Sequence, residues 1–299
     1  METLIVCPAC ESAEKPARWD SITDFSVSGE RFVVVCCPAC GLRYTNPRPD
    51  KSQIGPYYRS DAYVSHTGAD APGIINVWYR RVRNYTLGVK RKQVRKWSPN
   101  EARTLLDVGC GTGEFAAFMQ KTGWSARGVE PDPETAERAR RLHGLKVEDE
   151  AWLEETRERF SVITLWHVLE HVHDLRQRVE RIHSLLTPGG LLVVAVPNPE
   201  STDARHYGLE WAAWDVPRHL YHFPPSMLRS FIQRRGFVCL ATRPMYFDPM
   251  YVSMLSEKYR SGSGAAPLRG LIKGLWFLFT ALLQKDACSS QVYFFRKEG

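Results

Sequence analysis

Arg103-Thr104-Leu105-Leu106-Asp107-Val108-Gly109-Cys110-Gly111-Thr112-Gly113-Glu114-Phe115 is the stretch that decides the fold. Leu105, Leu106 and Val108 form the short apolar run expected of a strand buried on both faces. Glycines at every second position follow it, and Phe115, Phe118 and Met119 then recur at helical spacing. Such a loop lets backbone approach a ligand closely, and the helix that follows offers free N–H groups. The spacing is G-x-G-x-G, not the G-x-G-x-x-G of dinucleotide binders.

Outward from this stretch the chain alternates. Residues 125–129 read as a second strand that ends at Glu130, where an acid can accept hydrogen bonds from both hydroxyls of a ribose. Pro131-Asp132-Pro133-Glu134 opens a helix with proline and acids in its first turn. Further strands are expected at 145–147, 160–166 and 191–196. A helix at 174–186 and Pro188-Gly189-Gly190 precede the last of these. A helix near 226–232 and strands at 237–240 and 291–295 complete the pattern. Buried strands alternating with helices imply an α/β, doubly wound, mostly parallel sheet with its last strand antiparallel.

The N-terminal segment reads differently. Five of eight cysteines fall in the first 40 residues. Cys7-Pro8-Ala9-Cys10 and Cys37-Pro38-Ala39-Cys40 are two C-x-x-C knuckles that can present four thiolates to a tetrahedral Zn²⁺. Gly41 is placed for the positive φ that closes the second knuckle, and Cys36 stands outside the spacing as a bystander. A unit this small needs the metal for its stability, and four protein ligands make that metal structural. The expected organisation is a zinc ribbon at 1–46, a linker and basic helical segment at 47–98, and a catalytic domain at 99–299 with a helical insertion at about 246–288.

With 299 residues, a formal charge of +7, 43% hydrophobic and 24% charged residues, the chain has the balance of a soluble globular protein. Collagen-like, disordered and polytopic membrane classes are excluded. The N-terminus carries no secretory pattern, so a cytoplasmic location is expected. Residues 74–97 read as a helix rich in Arg and Lys without acids, either a solvated face or a phosphate-facing one.

Together, Leu106-Asp107-Val108-Gly109-Cys110-Gly111-Thr112-Gly113, Gly128-Val129-Glu130, Trp166-His167-Val168-Leu169-Glu170-His171-Val172 and Leu185-Leu186-Thr187-Pro188-Gly189-Gly190 resemble the class I S-adenosylmethionine-dependent methyltransferases, in order, over roughly residues 100–243. The resemblance implies a Rossmann-like methyltransferase sheet. Asp107, Gly109, Cys110, Gly111 and Gly113 would cradle the methionine moiety, with Phe115 at the helix start. Glu130 and Pro131 would meet the ribose, and Asp149 the adenine, although Glu148 and Glu150 compete with it. Trp166 and His167 would lie beside the cofactor, and Cys110 is a loop residue, not a nucleophile. His167-Val168-Leu169-Glu170-His171 also matches the H-x-x-E-H of inverted zincins, but its first His is expected to end a strand and not to sit on a helix.

Trp211-Ala212-Ala213-Trp214-Asp215-Val216-Pro217-Arg218-His219-Leu220-Tyr221-His222-Phe223-Pro224 reads as a loop and resembles the zinc-ribbon-bearing branch of small-molecule methyltransferases, several of which act on nucleotide-linked sugars or cell-envelope glycans. In that light His219 is the first choice for a general base and His222 the second, with Tyr221 and Arg218 orienting the acceptor or a phosphate. Residues 268–283 are apolar, with Arg269 and Lys273 at their start. They either pack on the protein or a partner chain, the reading adopted, or make a peripheral membrane contact. Their longest uninterrupted run, 275–283, is too short to cross a bilayer. The expected function is methyl transfer from S-adenosyl-L-methionine to a small-molecule or glycan-like acceptor. The alternatives are a zinc-ribbon RNA methyltransferase and a catalytically inactive scaffold.

Overall fold

The computed structural model describes residues 1–58, 74–99, 101 and 103–299. Residues 59–63 of the aromatic linker, and the side chains of Arg80, Arg81 and Arg83 in the basic helix, lie outside the described residues. In chain order the first strands are β1 (Ala17–Thr23), β2 (Arg31–Cys36) and β3 (Arg43–Thr45), an antiparallel meander flanked by the two cysteine knuckles. Both knuckles close on a residue in the left-handed region, Glu11 (φ 60°) and Gly41 (φ 76°). Helix α1 (Ile74–Trp97) leads to the main domain.

There β4 (Thr104–Val108), α2 (Glu114–Lys121), β5 (Ser125–Val129), α3 (Pro133–His143), β6 (Lys146–Glu148), α4 (Glu150–Glu155), β7 (Phe160–Trp166), α5 (Leu175–Leu185) and β8 (Leu186–Pro197) alternate as expected. They are followed by α6 (Thr202–Tyr207), β9 (Tyr221–His222), α7 (Pro225–Gln233), β10 (Phe237–Pro244), α8 (Asp248–Ser261), α9 (Ala266–Leu283) and β11 (Ser290–Lys297). Seven strands form one sheet in the order β10-β11-β8-β7-β4-β5-β6, and β11 alone runs against the others. Strand order reverses beside β4, so the glycine loop opens at the crevice where doubly wound sheets bind ligands.

Two features differ from the sequence reading. Strand β8 starts at Leu186 and takes in Thr187 to Gly190, because Gly189 (φ 68°) lets the backbone bulge between the Phe160 and Val162 pairings without leaving the ladder. The second difference matters more. Residues 211–224 are not a free loop: after a 3₁₀ turn at Ala212–Trp214, β9 pairs with β3 (Arg43↔His222, Tyr44↔Tyr221) and becomes the fourth strand of the ribbon sheet.

Ile22, Phe32 and Val34 of the ribbon bury against Tyr207, Trp211, Trp214 and Val216, with Val252 of α8 and Phe277 of α9 in the same cluster. The ribbon, the expected acceptor segment and the helical insertion therefore share one core. A three-stranded meander has too little apolar surface to close a core of its own.

Candidate active site

Between β4 and α2, Gly109, Gly111 and Gly113 take φ values of 66°, 55° and 81°. A Cβ on Gly109 would come within 2.5 Å of Val168 Cγ2, whereas one on Gly111 would meet nothing within 4 Å. The flanks of the loop are packed and its centre is open. The Gly111 N–H donates to Glu130 Oε2 at 2.9 Å and the Asp132 N–H to Oε1 at 3.1 Å, so the acid at the tip of β5 is held against the loop. Burial raises the pKa of Glu130. Cys110 Sγ is tucked where a Cβ on Gly128 would lie, and burial pushes its thiol up, which fits a packing role.

Asp107 is buried at the end of β4 and accepts a 2.5 Å hydrogen bond from Thr164 Oγ1; burial lifts its pKa to about 7. Above it, Lys90 of α1 puts Nζ 4.0 Å from the Trp166 ring centre, and Phe115 meets the same ring edge-on at 5.2 Å. Burial lowers the Lys90 pKa against the opposing pull of Asp107, Asp248 and Glu114. Trp166 Nε1 is buried without a partner. Of the three competing acids beyond β5, Glu148 pairs with Arg127 and Lys146, and Glu150 with Arg178. Asp149 caps α4 by accepting from Trp152 N at 2.8 Å.

His167 follows β7 directly with φ 57°. Its Nδ1 lies 3.2 Å from Glu170 Oε1 and its Nε2 3.4 Å from Asp248 Oδ2. Burial pulls the pKa down, but the Asp248 and Glu170 carboxylates outweigh it and hold it at about 10, so the ring is an imidazolium. It is not helical, and both nitrogens face carboxylates, so the H-x-x-E-H zinc reading has no ligand there.

Glu170 and His171 lie on the 3₁₀ turn Leu169–His171. Glu170 is 0% exposed, and its Oε2 has no partner. Glu170, His171 and His219 each place one ligand atom within 4.8 Å of the others, and the two imidazoles meet edge to face at 4.7 Å. His171 Nδ1 lies 3.0 Å from Arg218 O and His219 Nδ1 2.9 Å from Ala213 O. Burial and the neighbouring His219 push His171 down to about 4, which keeps it neutral. Asp215 Oδ2 stands 3.9 Å from His219 Nε2. This donor set is suited to proton transfer and also to a metal ion.

The other residues expected on the acceptor segment are used by the fold. Arg218, 0% exposed, is bound by Asp24 (2.9 Å) and Asp215 (2.7 Å) and donates to Tyr57 O (2.8 Å), so each of its nitrogens is engaged within the fold and its charge is already matched by carboxylates. The Tyr221 hydroxyl is buried, donating to His173 O and accepting from Arg48 Nη1. His222 is a buried β9 residue whose ring packs crosswise against Trp214 at 4.9 Å; its Nε2 is buried without a partner, and burial drives its pKa well below normal. A hollow of about 460 Å³ lined by Val27, Ser28, Glu30, Gln53 and Tyr57 lies on the ribbon side and contains none of these groups.

The sequence profile of the methyltransferase domain family matches residues 79–242, from α1 into β10. This chain belongs to the class I S-adenosylmethionine-dependent methyltransferases. Among its relatives, the methyltransferase is 34% identical over 170 residues to a ubiquinone biosynthesis O-methyltransferase of Chelativorans sp. (strain BNC1), covering 52% of this chain and 67% of that one. It is 25% identical over 227 residues to the enzyme of the same name from Methylobacterium nodulans, covering 69% and 89%. The crystal structure of magnesium protoporphyrin IX methyltransferase from Synechocystis PCC 6803 with bound SAH superimposes with a TM-score of 0.54 at 12% identity. That match covers 83% of this chain and all of that one, and it supports the shared fold.

The residues present fit S-adenosylmethionine. The loop centre at Gly111 is open, Glu130 stands at its edge, and Trp166, packed on Phe115 at the helix start, keeps a buried Nε1 without a partner. Two residues around this edge of the methyltransferase escaped the sequence reading. Lys90 was one cation among many on a basic helix, and only the packing of α1 onto Trp166 singles it out. Asp248 lies 81 positions from His167, and no local signal links them.

At the other end of the methyltransferase, Cys7 Sγ and Cys40 Sγ are 3.6 Å apart, and Cys10 Sγ and Cys37 Sγ 3.7 Å. All four sulfurs lie within 4.8 Å of one another, and Cys36 Sγ is turned instead toward Cys37 O.

Proposed function

We propose that the methyltransferase transfers its methyl group to a hydroxyl of a small-molecule acceptor, with His219 as general base and the four cysteines holding a structural Zn²⁺. The observation that carries the reading is the meeting of Glu170, His171 and His219. A wholly buried carboxylate with an unpartnered oxygen is costly to maintain, and a second, non-reacting hydroxyl of the acceptor that donates to it would satisfy it, leaving the reacting hydroxyl to His219. The cluster is joined to the cofactor edge through the Glu170–His167 contact.

S-Adenosylmethionine supplies a methyl group on a positively charged sulfur with a good leaving group. The chain has to align and deprotonate the acceptor. Glu130 and Gly111 would hold the ribose, with Pro131 following at the surface. Asp149 would meet the adenine, and Asp107, Gly109, Cys110, Gly113 and Phe115 would line the methionine moiety. Lys90 would offer its ammonium to the amino-acid carboxylate. His167, fixed as a cation between Asp248 and Glu170, anchors one Glu170 oxygen and leaves the other for the acceptor. His219, its Nδ1 fixed on Ala213 O, presents Nε2 to take the acceptor proton, a step worth ~10²–10⁴ in rate.

Transfer to oxygen is supported by the names of the relatives. Nucleotide-linked sugars and cell-envelope glycans belong to the same polyhydroxylated class as the acceptor proposed here. The RNA alternative loses support because Lys90 of the basic helix turns inward. For the metal, Zn–S bonds of about 2.3 Å in a tetrahedron put sulfurs roughly 3.7–3.8 Å apart. The observed pairs match that spacing, and four protein sulfurs leave no position for chemistry.

The test is methyl transfer from radiolabelled S-adenosylmethionine to a panel of catechols, nucleotide-linked sugars and primary amines. Label is expected on a hydroxyl acceptor, with His219→Gln keeping cofactor affinity and losing turnover. Label on amines alone, or undiminished turnover in the variant, refutes the assignment.

A further inference from the structure

Helix α9 is built inside out for a helix on a water-soluble surface. The face it turns to α8 carries Gly270 and Gly274, where a Cβ would come 2.4 Å from Met254 Cα and 2.5 Å from Met250 Cα. Ala266, Phe277 and Ala281 complete that buried face. The large residues point outward: Leu268, Leu271, Ile272, Leu275, Trp276, Phe279, Leu282 and Leu283 are 38% to 70% exposed. On a helix these positions form one continuous stripe opposite the glycines.

The helix contains no acid, and its two cations, Arg269 and Lys273, sit at the border of the stripe, paired with Glu257 of α8. The exposed surface is therefore apolar and uncharged. It is on the order of 800 Å² if each such side chain offers roughly 180 Å² when free. Monomers rarely leave so large a patch in water.

We propose that this stripe docks the methyltransferase on the surface of a lipid bilayer, with α9 lying in the interface. A second copy of the chain would cover it less well. Two helices in contact hide about half of each stripe, well short of the ~800 Å² per partner of a standard interface. A bilayer interface takes up the whole stripe, with Trp276 at the headgroup level and Arg269 and Lys273 directed to water.

By length and composition α9 is long enough to cross a membrane, which the 275–283 run by itself is not. It lies on the bilayer and does not span it. Pro244 at the end of β10 pairs with Gln291 at the start of β11, so the α8–α9 hairpin leaves and re-enters one sheet edge. Its other helix, α8, carries Glu257, Lys258 and Arg260. The net charge of +7 favours an anionic bilayer modestly, while the stripe itself needs only apolar lipid. The start of α8 holds Asp248 against His167, so the hairpin that carries the stripe is tied to the end of β7. The inference stands on the helix alone and does not depend on which atom of the acceptor is methylated.

The experiment is flotation of the full chain with phosphatidylcholine vesicles, with and without phosphatidylglycerol, together with quenching of tryptophan fluorescence by brominated phosphatidylcholine. The wild type is expected to float and to be quenched, more strongly with phosphatidylglycerol. Ile272→Gln/Trp276→Gln is expected to lose at least tenfold in partitioning while binding S-adenosylmethionine unchanged. Both substituted positions are more than half exposed, so folding is not at stake. A wild type that stays unbound, whether as a monomer or as a dimer that the double variant splits in sedimentation, overturns the proposal, as does vesicle binding that the double variant retains.

Discussion

Replacing Asp24 by Asn tests whether the ribbon sheet holds the acceptor side of the site. Asp24, in the β1–β2 turn, accepts from Ser26, Val27 and Ser28 backbone N–H groups and receives Arg218 Nη2 at 2.9 Å. Removing one partner of a buried ion pair costs about 3–5 kcal/mol. Here Arg218 keeps Asp215, through Nη2 at 2.7 Å and Nε at 3.1 Å, and Asn can still accept from part of the turn. The expected loss is therefore at or below the bottom of that range, about 2–3 kcal/mol, or a drop of roughly 4–10 °C in Tm for a chain of this size.

The pH dependence has a definite sign. Burial raises the Asp24 pKa, but Arg218 and the Ser28 N–H outweigh it and set it below the ordinary value. Its contribution is present above about pH 4 and disappears as pH falls through the folded-state pKa, so wild type and variant converge in acid. Thr45, the last residue of β3 in the same meander, donates from Oγ1 to His219 O (3.2 Å) and from N to Leu220 O (3.0 Å). A loosened ribbon should therefore lower kcat while the S-adenosylmethionine Kd stays within twofold. Urea unfolding from pH 3 to 8, with calorimetric titration of the cofactor, measures both quantities. A stability change under 0.5 kcal/mol, or a loss of cofactor affinity as large as the loss of turnover, refutes the reasoning.

Gly109→Ala combines a left-handed φ with a Cβ 2.5 Å from Val168, and should lower both stability and cofactor affinity, the latter at least tenfold by calorimetry. Glu130→Ala should weaken the cofactor by more than tenfold, and equal affinity would displace the ribose site from β5. Asp107→Asn removes a carboxyl whose folded pKa, about 7, lies above its unfolded one, a penalty that grows as pH rises through that interval. The ligand-free variant should therefore melt higher than wild type at pH 8 but not at pH 4, by scanning calorimetry, while binding cofactor less well. His167 contributes in the opposite sense: its pKa of about 10 makes its stabilisation complete below about pH 6 and lost as pH rises through 10, a slope that His167→Gln should abolish in thermal melts. Cys40→Ser should bring the metal content, by mass spectrometry, from about one Zn²⁺ per chain to near none and melt the ribbon sheet first.

The sheet was legible in the sequence because its strands announce themselves locally. Buried runs such as Phe160–Trp166 and the glycine loop after Val108 are short-range signals, and the right-handed crossover rule leaves little freedom in arranging them. The cysteine knuckles were equally legible, since C-x-x-C spacing is itself the geometry of a two-thiolate turn. The acceptor segment was not. Its aromatic and histidine content marked it as a site, but residue type could not separate His219, beside Glu170 and His171, from His222, three positions on and buried on Trp214.

By itself the amino-acid sequence determined a class I methyltransferase sheet, the glycine loop with Glu130 opposite it, and two paired cysteine knuckles. Tertiary structure alone decided that β9 joins the ribbon, that Arg218 and Tyr221 are bound by Asp24 and Arg48, that Lys90 meets Trp166 and Asp248 meets His167, and that α9 turns its large residues outward. The physical reason is range. Strand, loop and knuckle are set by neighbours a few residues away, whereas burial of a charge or exposure of an apolar stripe depends on distant elements, such as those of Asp24 and Arg218, 194 positions apart, that meet only when the shared core closes.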